Sequence, residues 1–407
     1  MRGFTHRHTV EAALAWLDAQ LHPLDSETVP VQGAAGRVTA AAVVSDVDVP
    51  GFDRATMDGY AVLAESTYGA SSYNPLSFEI VGESRPGVPF SGSVASGQAV
   101  RIMTGAPMPA GCDAVLPAEW VDHGTAGEPV SSRITALAAV SPGKHVGVVG
   151  EDIARGTTVL QPGRALRPQD LGVLSSIGRG DVTVVRRPRV RLAITGNELL
   201  PCGSRPQEYH VVDSNGPMLD ALVARDGGVV DFPGLVPDNP DALLDALRAD
   251  ADVVIVSGGS SVGVEDLAPM LLAEHGELAV HGVAMRPSSP TGLGRLDRRL
   301  VFLLPGNPVS CLCAYDFFAG RAIRGLGGRR TAWPYASTHA SLARKISSQI
   351  GRLDYARVRF AAGGVEPISV AGASVLSSTT RADGFVIVPA DSEGFPPGTD
   401  VEVWLYA

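Results

Sequence analysis

Lysine is almost missing from this chain: Lys144 and Lys345 are its only two, and every other base is an arginine. A pocket that needs positive charge must therefore draw on arginine. Positive charge is also short overall, with 43 acids against 33 bases and a formal net charge of −10. That balance argues against a nucleic-acid binder or a partner of anionic membranes, whose footprint is a basic surface. Cysteine is equally thin. Cys112 and Cys202 stand alone and Cys311 and Cys313 sit two apart, with no CxxC pair and no Cys/His spacing suited to zinc. Four free thiols in so long a chain point to a reducing compartment, the cytoplasm. No run approaches the roughly 18 apolar residues that span a bilayer, and Glu11 and Asp18 interrupt the first apolar stretch, unlike a signal peptide. Fixed-period repeats and low-complexity runs are lacking too.

What is present is a folded composition: 407 residues, 45% hydrophobic and 19% charged, with 47 glycines and 30 prolines that call for many tight turns and short strands. Residues 10–21 place Val10, Ala13, Leu14, Leu17 and Leu21 on one helical face, with Thr9 as N-cap. Residues 46–140 carry short β-type runs (78–82, 98–103) between Gly/Pro/Ser turns and read as an all-β domain. A helix is expected near 168–177. Between 186 and 328, strands at 190–195, 253–257 and 300–304 alternate with helices at 216–225, 240–249 and 308–324, predicting a parallel sheet covered by helices on both faces. Residues 337–407 alternate as strands without a convincing helix, which predicts a C-terminal β-barrel or sandwich.

Ligands of parallel α/β sheets bind beyond the carboxyl ends of the strands. Two loops there invite an anion. Ser257-Gly258-Gly259-Ser260-Ser261-Val262-Gly263 lets backbone approach a ligand closely and offers N–H and O–H donors, without being a dinucleotide fingerprint or a P-loop. In Pro305-Gly306-Asn307-Pro308-Val309-Ser310, Asn307 suits an N-cap and Pro308 the first helical position, so a helix N-terminus faces the same edge. Glu198, Asp238 and Asp266 gather around these loops. Carboxylates beside a phosphate site call for a divalent cation, Mg²⁺, which takes few protein oxygens together with substrate phosphates. Read singly, each acid is also a helix cap or a solvated surface group, a reading stronger for Asp266, which stands before a helix, than for Glu198.

Seven segments in order, FDRATMDGYAV (52–62), RIMTGAP (101–107), GEDI (150–153), TGNEL (195–199), DSNGPML (213–219), SGGSSVG (257–263) and PGNPVS (305–310), resemble signatures of the molybdopterin molybdenumtransferase family, the MoeA-like proteins related to the gephyrin E domain. The resemblance implies an α/β multidomain homodimer. Its parts would be a discontinuous helical or mixed domain (1–45 and 141–185), the all-β domain (46–140), a MogA-like sheet domain (186–328) that binds molybdopterin, and a C-terminal β-barrel (329–407). It implies an active site between the sheet domain of one subunit and the β domain of the other. The reaction implied is Mg²⁺-dependent insertion of molybdate into adenylylated molybdopterin with release of AMP, with a molybdopterin adenylyltransferase as a partner protein. Carried over by motif, Asp58, Thr104, Asp152, Glu198 and Asp266 are the catalytic candidates. Ser257, Gly258, Gly259, Ser260, Ser261, Gly263, Arg286, Asn307 and Ser310 would hold the substrate, and Glu198, Asp238 and Asp266 the Mg²⁺.

Two departures from the family pattern stand out. Asn197 replaces the usual acid before Glu198, and the family's Lys-Pro-Gly-Lys-Pro stretch reads Arg286-Pro287-Ser288-Ser289-Pro290, so that Ser289 loses a positive charge. An arginine from elsewhere in the chain could restore that charge. The alternative functional readings are a non-catalytic paralogue that binds molybdopterin or a nucleotide, and a nucleotidyl-transferring enzyme. Retention of Asp58, Thr104, Glu198 and Asp266 argues against the first, and the domains flanking the sheet argue against the second.

Overall fold

The computed structural model describes residues 7–122, 132–258, 267–369 and 372–406. These fall into two compact units, one of residues 1–29, 36–40 and 183–407, the other of residues 30–35 and 41–182. Helix α1 (Val10–Asp18) starts at Thr9, whose Oγ1 accepts the N–H of Ala12 at 3.1 Å. It buries Val10, Ala13 and Leu17 in the core of the first unit, the face expected from its spacing.

The second unit is built on a six-stranded sheet. Its strands are β1 (Gly59–Val62), β2 (Leu76–Ser84), β3 (Gln98–Ile102), β4 (Ala114–Pro117), β5 (Val121–Asp122) and β6 (Arg133–Ala136), in the order β4-β1-β3-β2-β6-β5. Only β2 and β3 run parallel. Tyr60, Val62, Phe78, Ala99, Leu116 and Ile134 fill one core of this unit.

Helix α2 (Pro168–Ser176), in the same unit, is anchored by one acid. Asp170, 4% exposed, accepts two bonds from the Arg164 guanidinium (2.8 and 3.1 Å) and the backbone N–H of Arg167 (2.9 Å). The Arg164 bonds, then those from Arg167, hold its carboxyl well below the usual carboxylate range. A depressed acid stabilises the fold above its unfolded value near pH 4 and loses that contribution as pH falls further. Asp170→Asn should therefore cost about 2 kcal/mol at pH 7. The gap between variant and parent should narrow below about pH 4. Urea unfolding at pH 7 and pH 3 checks this, and a gap that stays constant with pH counts against it.

The first unit holds the expected α/β sheet. In chain order it comprises β7 (Arg189–Thr195), α3 (Asn215–Asp226), β8 (Val229–Asp231), β9 (Leu235–Val236), α4 (Pro240–Leu247), β10 (Val253–Ser257), α5 (Leu267–His275) and β11 (Glu277–His281). After β12 (Met285–Arg286), which belongs to the next sheet, come β13 (Gly292–Leu296) and β14 (Arg299–Leu304). The order is β8-β7-β10-β14-β13-β11, with β9 also on β7. The expectation of a parallel sheet needs correction: β8, β9, β7, β10 and β14 are parallel, but β13 and β11 form an antiparallel edge. The 292–304 stretch is a tight hairpin, which leaves no room for a crossover helix.

Alternation splits the strand side chains between two cores. Leu192, Ile194, Ile255, Phe302 and Leu304 face α1, α3 and the helix after β14, whereas Ala193, Val254, Val256, Val301 and Leu303 face α4 and α5. That last helix, expected as one run, is α6 (Pro308–Ala314), a π-helical turn at Tyr315–Ala319, and α7 (Gly320–Leu326). The π turn places Asp316 fully inside, where the Tyr335 hydroxyl (3.0 Å) and Arg225 (3.2 Å) bind it.

The C-terminal strands are β15 (Ser337–Ser341), β16 (Leu353–Ala361), β17 (Gly364–Ser369), β18 (Gly384–Val388) and β19 (Asp400–Leu405), ordered β12-β16-β18-β19-β15 with β17 on β16. A bridge between Leu342 and Val365 joins the two remaining ends and closes the barrel. One short helix, α8 (Ser377–Thr380), interrupts a region read as free of helix. Among the described residues no helix is long and apolar enough to cross a membrane.

Candidate active site

Register places the strand ends abreast: Ile194 pairs with Ser257 and Ser257 with Leu304, while Thr195 pairs with Val236. The loops after these strands thus meet at one edge of the sheet. They surround a cavity of about 540 Å³ that includes Glu198, Asp213, Asn215, Asp238, Ser257, Gly258, Gly306 and Asn307. Of the candidates in the glycine-rich loop, Ser257 and Gly258 are placed here. Gly259, Ser260, Ser261, Gly263 and Asp266 lie outside the described residues.

Asn215 ties this edge together. Its Nδ2 donates to Ser257 Oγ (2.9 Å) and to the Gly306 carbonyl (2.8 Å), bridging two of the loops. Its Oδ1 is buried with no partner among the described residues. Asp213 caps α3, accepting the N–H groups of Asn215 and Gly216 at 2.9 Å each. Gly258 has φ +103°, and a Cβ there would lie 1.9 Å from the Thr195 carbonyl oxygen, so the loop leaves β10 by a path only glycine follows.

The two described metal candidates, Glu198 and Asp238, line the same cavity. Neither forms an ion pair among the described residues, and Asp238 has only a long contact, 3.3 Å, from Thr195 Oγ1. Two carboxylates without an ion pair lining one cavity suit Mg²⁺, which keeps most of its waters and shares substrate phosphates. No group of three or more metal-binding side chains occurs among the described residues.

Asn307 stands before α6 with Pro308 in the first helical position, but its side chain makes no cap. Its Oδ1 accepts the Ser374 hydroxyl at 2.8 Å instead, a correction to the N-cap expectation. Ser310 is buried in the first turn of α6, and its carbonyl accepts the Ser288 hydroxyl at 2.5 Å.

A second cavity, of about 710 Å³, shares Pro290, Pro305 and Asn307 with the first. Arg286, Ser288, Ser289, Ser310 and Arg352 line it, together with Arg7. Arg286 does not enter it as an uncommitted charge. Strand pairing sets Arg286 beside Asp354, and the two form an ion pair. Asp354 is fully buried and also takes Arg352 (3.2 Å) and the Ser348 hydroxyl (2.8 Å). Ser288 is held at φ +91° by its own bond to Ser310 and by Thr291 Oγ1, which donates to its carbonyl at 2.7 Å. The buried Ser289 hydroxyl has no partner among the described residues.

In the other unit, Asp58 and Thr104 come together. Asp58 Oδ1 accepts both the backbone N–H (2.7 Å) and the hydroxyl (2.8 Å) of Thr104. These two bonds hold its carboxyl below the usual range, so it stays ionised at neutral pH. Gly59 follows because β1 presses on β4 there: a Cβ would sit 2.1 Å from the Leu116 carbonyl oxygen. Asp152 is exposed on a loop whose N–H bonds Val49 (3.1 Å), and among the described residues no hydrogen bond joins its side chain to Asp58 or Thr104.

Three matches to known families cover most of the chain: "MoeA N-terminal region (domain I and II)" over residues 8–178, "Probable molybdopterin binding domain" over 192–324 and "MoeA C-terminal region (domain IV)" over 339–406. The chain is 34% identical over 390 residues to molybdopterin molybdenumtransferase 2 of Mycobacterium tuberculosis, covering 93% of this chain and 94% of that one. This chain belongs to the molybdopterin molybdenumtransferase (MoeA) family. A molybdopterin molybdenumtransferase of Nostoc sp. is 36% identical over 316 residues, 76% of this chain and 71% of its own. The crystal structure of a molybdopterin biosynthesis MoeA protein from Pyrococcus horikoshii superposes with a TM-score of 0.84 at 33% identity, covering 98% and 99% of the two chains.

Sequence reasoning missed Asp213 and Asn215 as site residues, although both stand in the DSNGPML segment. The signal was an acid two and three residues ahead of N–H groups at a helix start. It also missed Arg352 and Arg7, which reach the second cavity only through pairings distant in the chain.

Proposed function

We propose that this MoeA-family chain is a molybdopterin molybdenumtransferase, a transferase of molybdenum cofactor biosynthesis acting in the cytoplasm. Its substrates are adenylylated molybdopterin and molybdate, and its products are AMP and the molybdenum-loaded pterin. One observation carries this reading: an acid-lined cavity and an arginine-lined cavity share a wall at the carboxyl edge of the sheet. The first suits a phosphate with its cation, the second a tetrahedral oxyanion.

Glu198 and Asp238, with Asp266 from the motif, would hold Mg²⁺, which when bound offsets the charge developing on the phosphate oxygens. Asn215 fixes the Ser257 and Gly306 loops against each other, so their backbone is set before substrate arrives. The start of α6 adds a partial positive charge at the shared wall. Arg286 and Arg352, both paired with buried Asp354, line the cavity read here as the molybdate site. Asp58, kept ionised by Thr104, serves as a fixed acceptor for the pterin or nucleotide.

The chain loaded with adenylylated molybdopterin should release AMP on addition of molybdate and Mg²⁺, and not without either. Binding without AMP release identifies the non-catalytic paralogue instead. We further propose a homodimer, with a molybdopterin adenylyltransferase as a partner that delivers the substrate. Mixing inactive Asp58→Ala and Glu198→Ala subunits should recover part of the AMP release. Mixed dimers that form and remain inactive rule out that division of labour.

A further inference from the structure

We propose that Arg7 is an oxyanion-selecting residue of the arginine-lined cavity, setting its preference for tetrahedral dianions over monoanions. The proposal rests on the reading of that cavity as the molybdate site. The chain just before α1 is stitched to the segment leading into β12: the N–H of His8 donates to the Gly282 carbonyl (3.0 Å), and its carbonyl accepts Ala284 N–H (2.8 Å). This pairing carries Arg7 to the cavity wall that Arg286, Ser289 and Arg352 also form.

The other two arginines are spoken for in part, because Arg286 and Arg352 both pair with the buried Asp354 carboxylate. The family's second lysine is here Ser289, whose hydroxyl adds no charge. Arg7 is the third arginine of that lining and, in this proposal, supplies the cation that the Ser289 departure removes. Arg7 already makes a contact of its own. A guanidinium nonetheless has five N–H groups, enough to hold a neighbour and still face a ligand. Because Coulomb energy scales with ligand charge, losing one cation weakens a dianion by about the square of the factor for a monoanion of equal size.

The test titrates the full-length chain at fixed ionic strength with molybdate alone and with perrhenate alone, a tetrahedral monoanion. Arg7→Ala should weaken molybdate by about 10- to 150-fold, the loss of one charged contact, and perrhenate by only about 3- to 12-fold. Arg7→Lys should keep the preference for molybdate, and Ser289→Lys added to Arg7→Ala should restore it. Recovery through position 289 assigns the effect to charge in the cavity and not to a disturbed N-terminal segment. Molybdate binding unchanged by Arg7→Ala, or equal loss for both anions, overturns the role of Arg7 and leaves the functional reading standing. No molybdate binding by the unmodified chain overturns both.

Discussion

A Glu198→Gln, Asp238→Asn double variant should release AMP about 1,000-fold more slowly than the parent, with a melting temperature unchanged to within about 2 °C. A factor of 1,000 is about 4 kcal/mol of transition-state stabilisation, the scale of charge neutralisation by a bound metal. Both substitutions keep size and one acceptor oxygen while removing the charge. The fold should not notice, since Glu198 has no ion pair among the described residues and Asp238 only its 3.3 Å contact with Thr195. Asp213, on the same cavity, is the contrasting case: its carboxylate is committed to two N–H groups of α3, and its loss should cost stability first. Single-turnover AMP release across a Mg²⁺ titration is the measurement. A loss under tenfold at saturating Mg²⁺ would remove these carboxylates from the metal site.

Gly258→Ala should destabilise the sheet-bearing unit by about 4 kcal/mol. Two costs add: backbone strain at positive φ, of order 1–3 kcal/mol, and displacement of packed structure, of similar size. The added methyl would lie 1.9 Å from the Thr195 carbonyl oxygen, which belongs to a central strand and cannot step aside cheaply. The expected fall in melting temperature is about 8–16 °C. A variant within 1 kcal/mol of the parent in urea unfolding would show that the loop leaves β10 by another path.

The parallel core of the sheet was legible because its strands are dense apolar runs. Every residue of Val253–Ser257 is buried, as a strand covered on both faces requires. The antiparallel edge was not legible. Gly292–Leu296 carries two glycines and an arginine, and its identity as a strand comes from pairing with Arg299–Leu304 and not from its own composition. The π turn was hidden for a related reason: Tyr315–Ala319 keeps an apolar helical pattern, and only the burial of Asp316 marks the extra residue. Asp58 and Thr104, 46 residues apart, could be named from motifs, yet their bond exists only because Gly59 pairs with Ile102. The arginine cavity shows the limit most clearly. Arg286 meets Asp354 through a parallel register, Met285 with Leu353, that no local pattern in either segment announces.

The route of the chain also sets an order of events during synthesis. Helix α1 leaves the ribosome early, yet its buried face packs on side chains of the π turn that begins at Tyr315, about 300 residues later. At about 5–20 residues per second, Val10, Ala13 and Leu17 wait roughly 15–60 s for their partners. The other compact unit, residues 30–35 and 41–182, is synthesised entirely within that interval. Throughout that interval the nascent chain carries an amphipathic helix whose buried face has no partner yet, the kind of apolar segment a holding chaperone captures until the rest arrives.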